Sequence, residues 1–365
     1  MPRQQTLGLG TALLSASLIL AACQAGASAT PSVAQSQAAS LPAAPSVNFL
    51  ACEVTDSGGV NDNGFNESAH QGLLLAQSEL GVQTKLLAST ADTDYAPNIN
   101  ASISQKCDLI VTVGFLLGAA TQAAAEAHPT QRFAIVDYGY EPPISNVLGL
   151  VFDTKSASML QGYLAAGMTT TGTVATFGGI QIGLVTDAMD GFVAGVKYYN
   201  QQKGKKVEVL GWNPSTATGT FAGDFADLGK GGAIAKALIH GGADIIFAVS
   251  VAGPVQQGAM AAIKAAGKAL FIGVDVDQFA TQPAYGSIIL SSELKRVDNV
   301  VLAAIREAIA GPFPSNPYVG TLANEGVGMA PFHDLDSRVP QNLKDEIAAL
   351  KAALVDGSVS PDDYK

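Results

Sequence analysis

From about residue 47 onward the chain alternates, with few exceptions, between short runs rich in β-branched residues and Ala-rich stretches of helical length. The strand candidates are "VNFLACEV", "CDLIVTVG", "RFAIVDY", "NVLGLVF", "TVATFG", "KVEVLGW", "ADIIFAVS", "ALFIGVD" and "GSIILSS". Between them lie helix candidates such as "ASMLQGYLAAGM", "DGFVAGVKYYNQQKG", "KGGAIAKALIHGG" and "VQQGAMAAIKAAG". A helix between two strands returns the chain to the edge it left, so the strands run parallel and helices cover both faces of the sheet. These strands are too many for one modest sheet. The run "DTKSASMLQGYLAAGMTTTGTV" near the middle is a natural crossing, and the expectation is an α/β protein of two doubly wound, parallel-sheet lobes.

The first 46 residues follow a different logic. Arg3, the uncharged run "LGLGTALLSASLIL" and "LAAC" have the layout of a secretory signal. The apolar run is shorter than the ~20 residues that a membrane-spanning helix needs. Leu20, Ala21 and Ala22 before Cys23 resemble a lipobox, which implies cleavage there and lipidation of the Cys23 sulfur; an ordinary signal or uncleaved anchor is the alternative. Residues 24–46, dominated by Ala, Ser, Gln and Pro and without charge, read as a flexible tether. The expected division is a signal over 1–22, a tether over 23–46, and a folded part held by lipid alone on the extracytoplasmic face of the cell membrane.

Removing Arg3 with the signal leaves 19 Lys and Arg against 31 Asp and Glu, a net charge of −12. That balance disfavours nucleic acid and phosphorylated ligands as partners. Cys52 and Cys107 then remain, each at the start of an apolar run. Export permits a disulfide between them; two buried free thiols are the other reading.

In doubly wound sheets ligands bind outside the carboxyl ends of the strands. The residues there are Asp56 after the first run, Phe115 after the second, Asp137 and Tyr138 after "RFAIV", Ala252 and Gly253 after "ADIIFAVS", and Asp275 and Asp277 after "ALFIGV". Ionised Asp only accepts hydrogen bonds, so strand-end aspartates suit a neutral ligand rich in hydroxyl or amino donors. Aromatics suit a flat face. Together they suggest a sugar joined to a ring. The plainer role for any one of these aspartates is the N-cap of the next helix, and Phe115 is expected in the core.

Catalytic and metal motifs do not assemble. "DSGG" follows Thr55 rather than the glycine of a serine-protease loop, and neither a G-x-S-x-G elbow nor H-E-x-x-H occurs. In "NDNG" a calcium loop would start at Gly59 and close at His70, neither of which is a carboxylate. No catalytic residue, metal or cofactor is expected.

The segment "TDSGGVNDNGFNESAHQGL" resembles the opening signature of the BMP (basic membrane protein) family of lipid-anchored substrate-binding components of ABC transporters, several of which bind purine nucleosides. "DLIVTVGF", "FAIVDY", "GLVTDAMDGFVAGVKYYN", "FADLGKGGAIAKALIHGGADIIF", "IGVDVDQ" and "SSELKRVDNVV" follow in the family's order, from about residue 49 to 330. The resemblance implies a type I periplasmic-binding-protein fold with a hinge and three crossovers. Its N-terminal lobe would span 47–155 with about 290–312, and its C-terminal lobe 156–289 with about 313–365. It further implies that Asp56 accepts hydrogen bonds from a nucleoside, Phe65 stacks on the base, Asn66 and Asp137 read the base edge, and Phe225 supplies the second stacking ring, with Phe221 and Phe192 as competitors. Gly253 would let the backbone approach, Asp275 would hold ribose hydroxyls, and Lys295 would donate to the sugar or pair with an acid. The implied protein is a monomer that delivers its ligand to ABC permease subunits. A sugar-binding protein of the same fold, a tethered receptor without a permease and a nucleoside-cleaving enzyme are the alternatives.

Overall fold

The computed structural model describes residues 47–251, 253–313 and 316–364. The expected signal, tether and Cys23 lipidation site lie outside these residues.

The chain first builds β1 (Leu50–Val54), α1 (Phe65–Leu80), β2 (Gln83–Leu87), α2 (Tyr95–Ser104), β3 (Leu109–Val113), α3 (Gly118–Ala127), β4 (Arg132–Val136) and β5 (Val147–Phe152). It crosses to a second sheet through α4 (Thr154–Met168), β6 (Thr173–Gly178), α5 (Gly183–Lys203) and β7 (Glu208–Leu210). A small hairpin of β8 (Trp212–Asn213) and β9 (Thr218–Gly219) precedes α6 (Leu228–His240), β10 (Ile245–Val249), α7 (Pro254–Ala266), β11 (Leu270–Gly273), α8 (Gln278–Thr281) and β12 (Ile289–Lys295). It ends with α9 (Val297–Ala310), β13 (Tyr318–Gly320), β14 (Val327–Met329) and α10 (Gln341–Asp356).

The two sheets repeat one topology: β13-β5-β4-β3-β1-β2 and β14-β12-β11-β10-β6-β7. Every pairing in the six-stranded sheets is parallel except β12 with β14. Central strands β3 and β10 are buried along their whole length. Helices on both faces require this, and it explains why these strands read as near-continuous apolar runs.

Packing assigns the helices. Val297, Val300, Val301 and Ile305 of α9 join Phe65, Ala69 and Leu73 of α1 and the inner residues of the first sheet. Leu343, Ile347 and Leu350 of α10 join α4, α5 and the second sheet. Each fully buried Leu, Ile or Val adds roughly 1.5–3 kcal/mol. The swap of the last elements between lobes therefore ties both cores into one chain path.

The lobe boundaries differ from those expected. Residues 290–295 complete the second sheet, because β12 pairs with β11, so the chain leaves that lobe only after Lys295. Residues 318–320 return to the first sheet, where β13 pairs with β5, before β14 closes the second. The crossing segments are joined by backbone hydrogen bonds, Asp153 N to Gly320 O at 2.8 Å and Arg296 N to Gly326 O at 2.9 Å. Cys52 on β1 and Cys107 before β3 form a disulfide with Cα atoms 5.9 Å apart.

Candidate functional site

The loop after β1 is organised by two carboxylates. Asp62 accepts from the backbone N–H groups of Gly64 and Asn66, both at 2.9 Å, and of Glu67 at 3.1 Å. It thereby satisfies donors that the first turn of α1 leaves unpaired. Asp56 accepts from Gly58 N at 2.9 Å and from the Asn66 amide at 2.8 Å. Asn66 also donates to Asp62 at 3.1 Å, and its carbonyl accepts from Asp56 N at 3.3 Å. Burial pushes both carboxyls above the ordinary aspartate range, and these hydrogen bonds pull them back.

This loop forms one wall of a cavity of about 420 Å³, also lined by Phe65, Leu116, Phe225, Val251 and Gly253. A second recess of about 130 Å³ shares Asp56, Phe65, Leu116, Phe225 and Val251, and adds Phe115 and Asp137. A third, of about 30 Å³, shares Phe225 and Val251 and reaches Asp137, Asp275, Glu293 and Lys295. The three adjoin as one cleft between the carboxyl ends of the two sheets, aromatic at one end and charged at the other. One glycine makes room for a ring and another for a carboxylate. A Cβ on Gly179 would collide with the Phe225 ring, and one on Gly114, where φ is +108°, would stand 3.2 Å from Asp56 Oδ2.

At the charged end Lys295, the last residue of β12, places Nζ 2.8 Å from Asp137 Oδ2 and 3.5 Å from Asp275 Oδ1. Its Nζ also lies 5.3 Å from the centroid of Phe65 and 5.6 Å from that of Phe152, within cation–π range. Asp137 and Asp275 follow equivalent strands, β4 and β11, and both hold left-handed backbone, with φ of 62° and 71°. Non-glycine residues rarely adopt that conformation, and such strain collects at functional sites. Burial alone would lower the lysine's pKa, but the carboxylates of Asp137, Asp275 and Glu293 hold it above its ordinary range. Burial pushes Glu293 up to about 8 against the pull of Lys295, aided by Asp275, Asp137 and Asp153. Near neutral pH the cluster thus pairs the Lys295 cation with a Glu293 carboxyl that burial holds largely neutral.

The structure brings Asp56, Phe65, Asn66, Asp137, Phe225, Gly253, Asp275 and Lys295 to this cleft. It also alters several expected roles. Both amide hydrogens of Asn66 are spent on Asp56 and Asp62, so it positions the loop instead of presenting a free amide. Asp137 is engaged with Lys295 at the charged end. Gly253 has extended backbone, φ 176°, which any residue adopts. Phe65 is buried in the first lobe's core, whereas Phe115, expected there, is 40 % exposed on the cleft wall. Among the competing rings, Phe192 stacks on Phe247 in the second core and Phe221 packs edge-on against Trp212, which leaves Phe225 as the cleft ring. Asp277 caps α8 through Phe279 N. Sequence reasoning missed Glu293; its one signal was alternation, two residues before Lys295 on the same face of β12.

Among the described residues no helix is long and apolar enough to cross a membrane. A family model described as ABC transporter substrate-binding protein, PnrA-like (Bmp), matches residues 49–362. The ABC transporter nucleoside-binding protein BmpA of Lactococcus lactis subsp. cremoris is 31% identical over 331 residues, which cover 86% of this chain and 89% of that protein. An uncharacterized lipoprotein of Pyrococcus abyssi is 31% identical over 296 residues, 77% of this chain and 68% of that one. The crystal structure of an ABC transporter solute-binding protein from Aeropyrum pernix superposes with a TM-score of 0.74 at 25% identity, covering 86% of this chain and 92% of that one.

Proposed function

The chain belongs to the Bmp family of PnrA-like ABC transporter substrate-binding proteins, and on that premise we propose that it captures a nucleoside, a purine nucleoside first, between its two lobes and delivers it to an ABC permease. The observation that carries the nucleoside reading is the polarity of the cleft. Phe65 and Phe225 offer flat apolar surface beside Asp56, and the floor beyond offers Asp137, Asp275 and Lys295. A base with a ribose attached has the matching sequence of chemistries. A relative at 31% identity carries nucleoside binding in its name.

The energies suffice. Aromatic contacts add about 0.5–1.5 kcal/mol each beyond area burial, and hydrogen bonds to charged groups about 1.5–3 kcal/mol each. These must exceed ordering and association costs; a net of about −8 kcal/mol is micromolar affinity. Closure about the crossing segments would exclude water from the floor. Lipidation at Cys23 would hold the protein, as a monomer, on the extracytoplasmic face of the membrane. That attachment is in keeping with the lipoprotein description of the Pyrococcus relative.

A thermal-shift screen of the unlipidated protein from about Ser46 onward tests this reading, with nucleosides, free bases, nucleotides, pentoses and hexoses. A ligand that binds only the folded state raises Tm by mass action. A rise with adenosine, guanosine or inosine and none with simple sugars is the expected result. Stabilisation by sugars alone would keep the fold and move the function to carbohydrate capture.

A further inference from the structure

We propose that Glu293 is a ligand-contacting, specificity-determining residue, whose buried Oε1 receives a single hydroxyl of the ligand's sugar and makes the cleft discriminate ribosides from deoxyribosides. The inference deepens the nucleoside reading and rests on it.

Glu293 is 2 % exposed, and its Oε1 is buried without a hydrogen-bond partner. The nearby cation does not supply one: Lys295 Nζ is directed to Asp137 at 2.8 Å and lies 3.5 Å from Asp275. Buried polar atoms are nearly always satisfied, and an orphan on a side chain that lines the cleft points to a missing partner. The space available defines that partner's size. Glu293 lines the innermost recess with Thr154, Asp137, Asp275 and Lys295, and the recess holds about 30 Å³. That is room for the centre of a hydroxyl or a water, at the inner end of a cleft whose other two recesses are larger.

The chemistry defines the rest. A carboxyl held neutral both donates and accepts, and an ionised one only accepts. A hydroxyl complements either form, whereas a carbonyl or an ammonium complements one. Burial pushes Glu293 up to about 8, so the recess is built without a third carboxylate charge beside Asp137 and Asp275. An added hydroxyl costs little to accept in an apolar pocket, but a site that hydrogen-bonds it rejects the analogue lacking it, because a buried group is then left unpaired.

The test is calorimetric titration of the wild type, Glu293→Met and Glu293→Gln with inosine, its 2′-deoxy and 3′-deoxy analogues, and hypoxanthine. In the wild type at least one deoxy analogue should bind at least about tenfold more weakly than inosine, about 1.4 kcal/mol. Glu293→Met fills the recess with apolar volume and should bring that ratio close to one; Glu293→Gln, which keeps a polar atom there, should restore much of it. Equal wild-type binding of all three nucleosides, or a ratio unmoved in Glu293→Met, overturns the inference and leaves the nucleoside reading standing. So does an equal loss for all nucleosides in that variant, which marks a purely structural role. Failure of the wild type to bind any nucleoside overturns both. Should Glu293→Met not fold, a crystal structure of the wild type with inosine decides: a sugar hydroxyl within hydrogen-bond distance of Oε1 supports the assignment, and a water or protein atom there overturns it.

Discussion

Lys295 and Asp137 belong to different lobes and meet at 2.8 Å, each less than 10 % exposed. The ammonium stands at the end of β12 in the second sheet, and the carboxylate follows β4 in the first. One buried ion pair therefore bridges the two halves at the floor of the cleft, with Asp275 at its side.

Removing the cation should be costly. Lys295→Met removes the cation that Asp137 and Asp275 share, and breaking a buried pair from one side costs about 3–5 kcal/mol. Urea unfolding should show the midpoint falling, and the loss should be smaller when Asp137→Asn is added. A Lys295→Met protein as stable as the wild type would mean that water reaches the floor and screens the pair.

Binding should separate the two rings of the cleft. Phe225 is half-buried, so Phe225→Ala should weaken nucleoside binding at least about tenfold, the loss of about 1.4 kcal/mol, with little change in Tm. Phe65 is 3 % exposed within the first core, and Phe65→Ala should also cost about 3–5 kcal/mol of stability. Asp275→Ala should lose affinity as strongly as Phe225→Ala. Titrations with all three variants binding as the wild type does would remove the cleft as the ligand site.

Much of this was legible because burial on both faces leaves a simple mark. β10 reads as an unbroken apolar run, β3 as one interrupted only by Thr112 and β4 as one opened by Arg132, and the residue after each strand end could be listed as a site residue without coordinates. β2 escaped notice because it is an edge strand, "QTKLL", whose side chains are exposed or half-buried. β13 and β14 are three residues each, and only the pairing of one with β5 and the other with β12 makes them strands. Roles that depend on where an atom points were also hidden. The sequence around Asn66 shows an amide at a strand-end loop, but not that Asp56 and Asp62 consume both its hydrogens. Glu293 looked like any glutamate beside a lysine, and only its burial and its unpartnered oxygen set it apart.

Stability should fall as pH rises from about 5 to 8. Glu293 titrates at 4.5 when unfolded and at about 8 when folded, so between those values the native state binds more protons than the unfolded one. Its contribution is complete below 4.5 and is lost as pH climbs through about 8. Glu53, raised by burial, acts in the same direction. So does His70, raised by its 3.0 Å hydrogen bond to Glu53. Thermal unfolding across this range should slope downward in the wild type and more gently in Glu293→Met, with His70→Gln removing a further part above pH 6. A slope unaltered in both variants would place the titrating groups elsewhere.

The disulfide should matter to stability and not to ligand binding. Cys52 and Cys107 are 55 residues apart in sequence; closing a loop of that length removes unfolded-state entropy worth about 4 kcal/mol in the chain-entropy model. Both half-cystines are buried, at 0 % and 3 % exposure, so a reductant reaches them slowly and substitution is the cleaner probe. Cys107 precedes β3, at the end of the sheet opposite the cleft, and Cys52 lies four residues before Asp56 within β1. Cys52→Ala with Cys107→Ala should therefore lower Tm clearly while the nucleoside Kd stays within about twofold, a few tenths of a kcal/mol. A large loss of affinity at unchanged Tm would reverse that assignment, because it would mean that the bridge fixes the end of β1, and with it the loop that carries Asp56 and Phe65, more than it holds the fold.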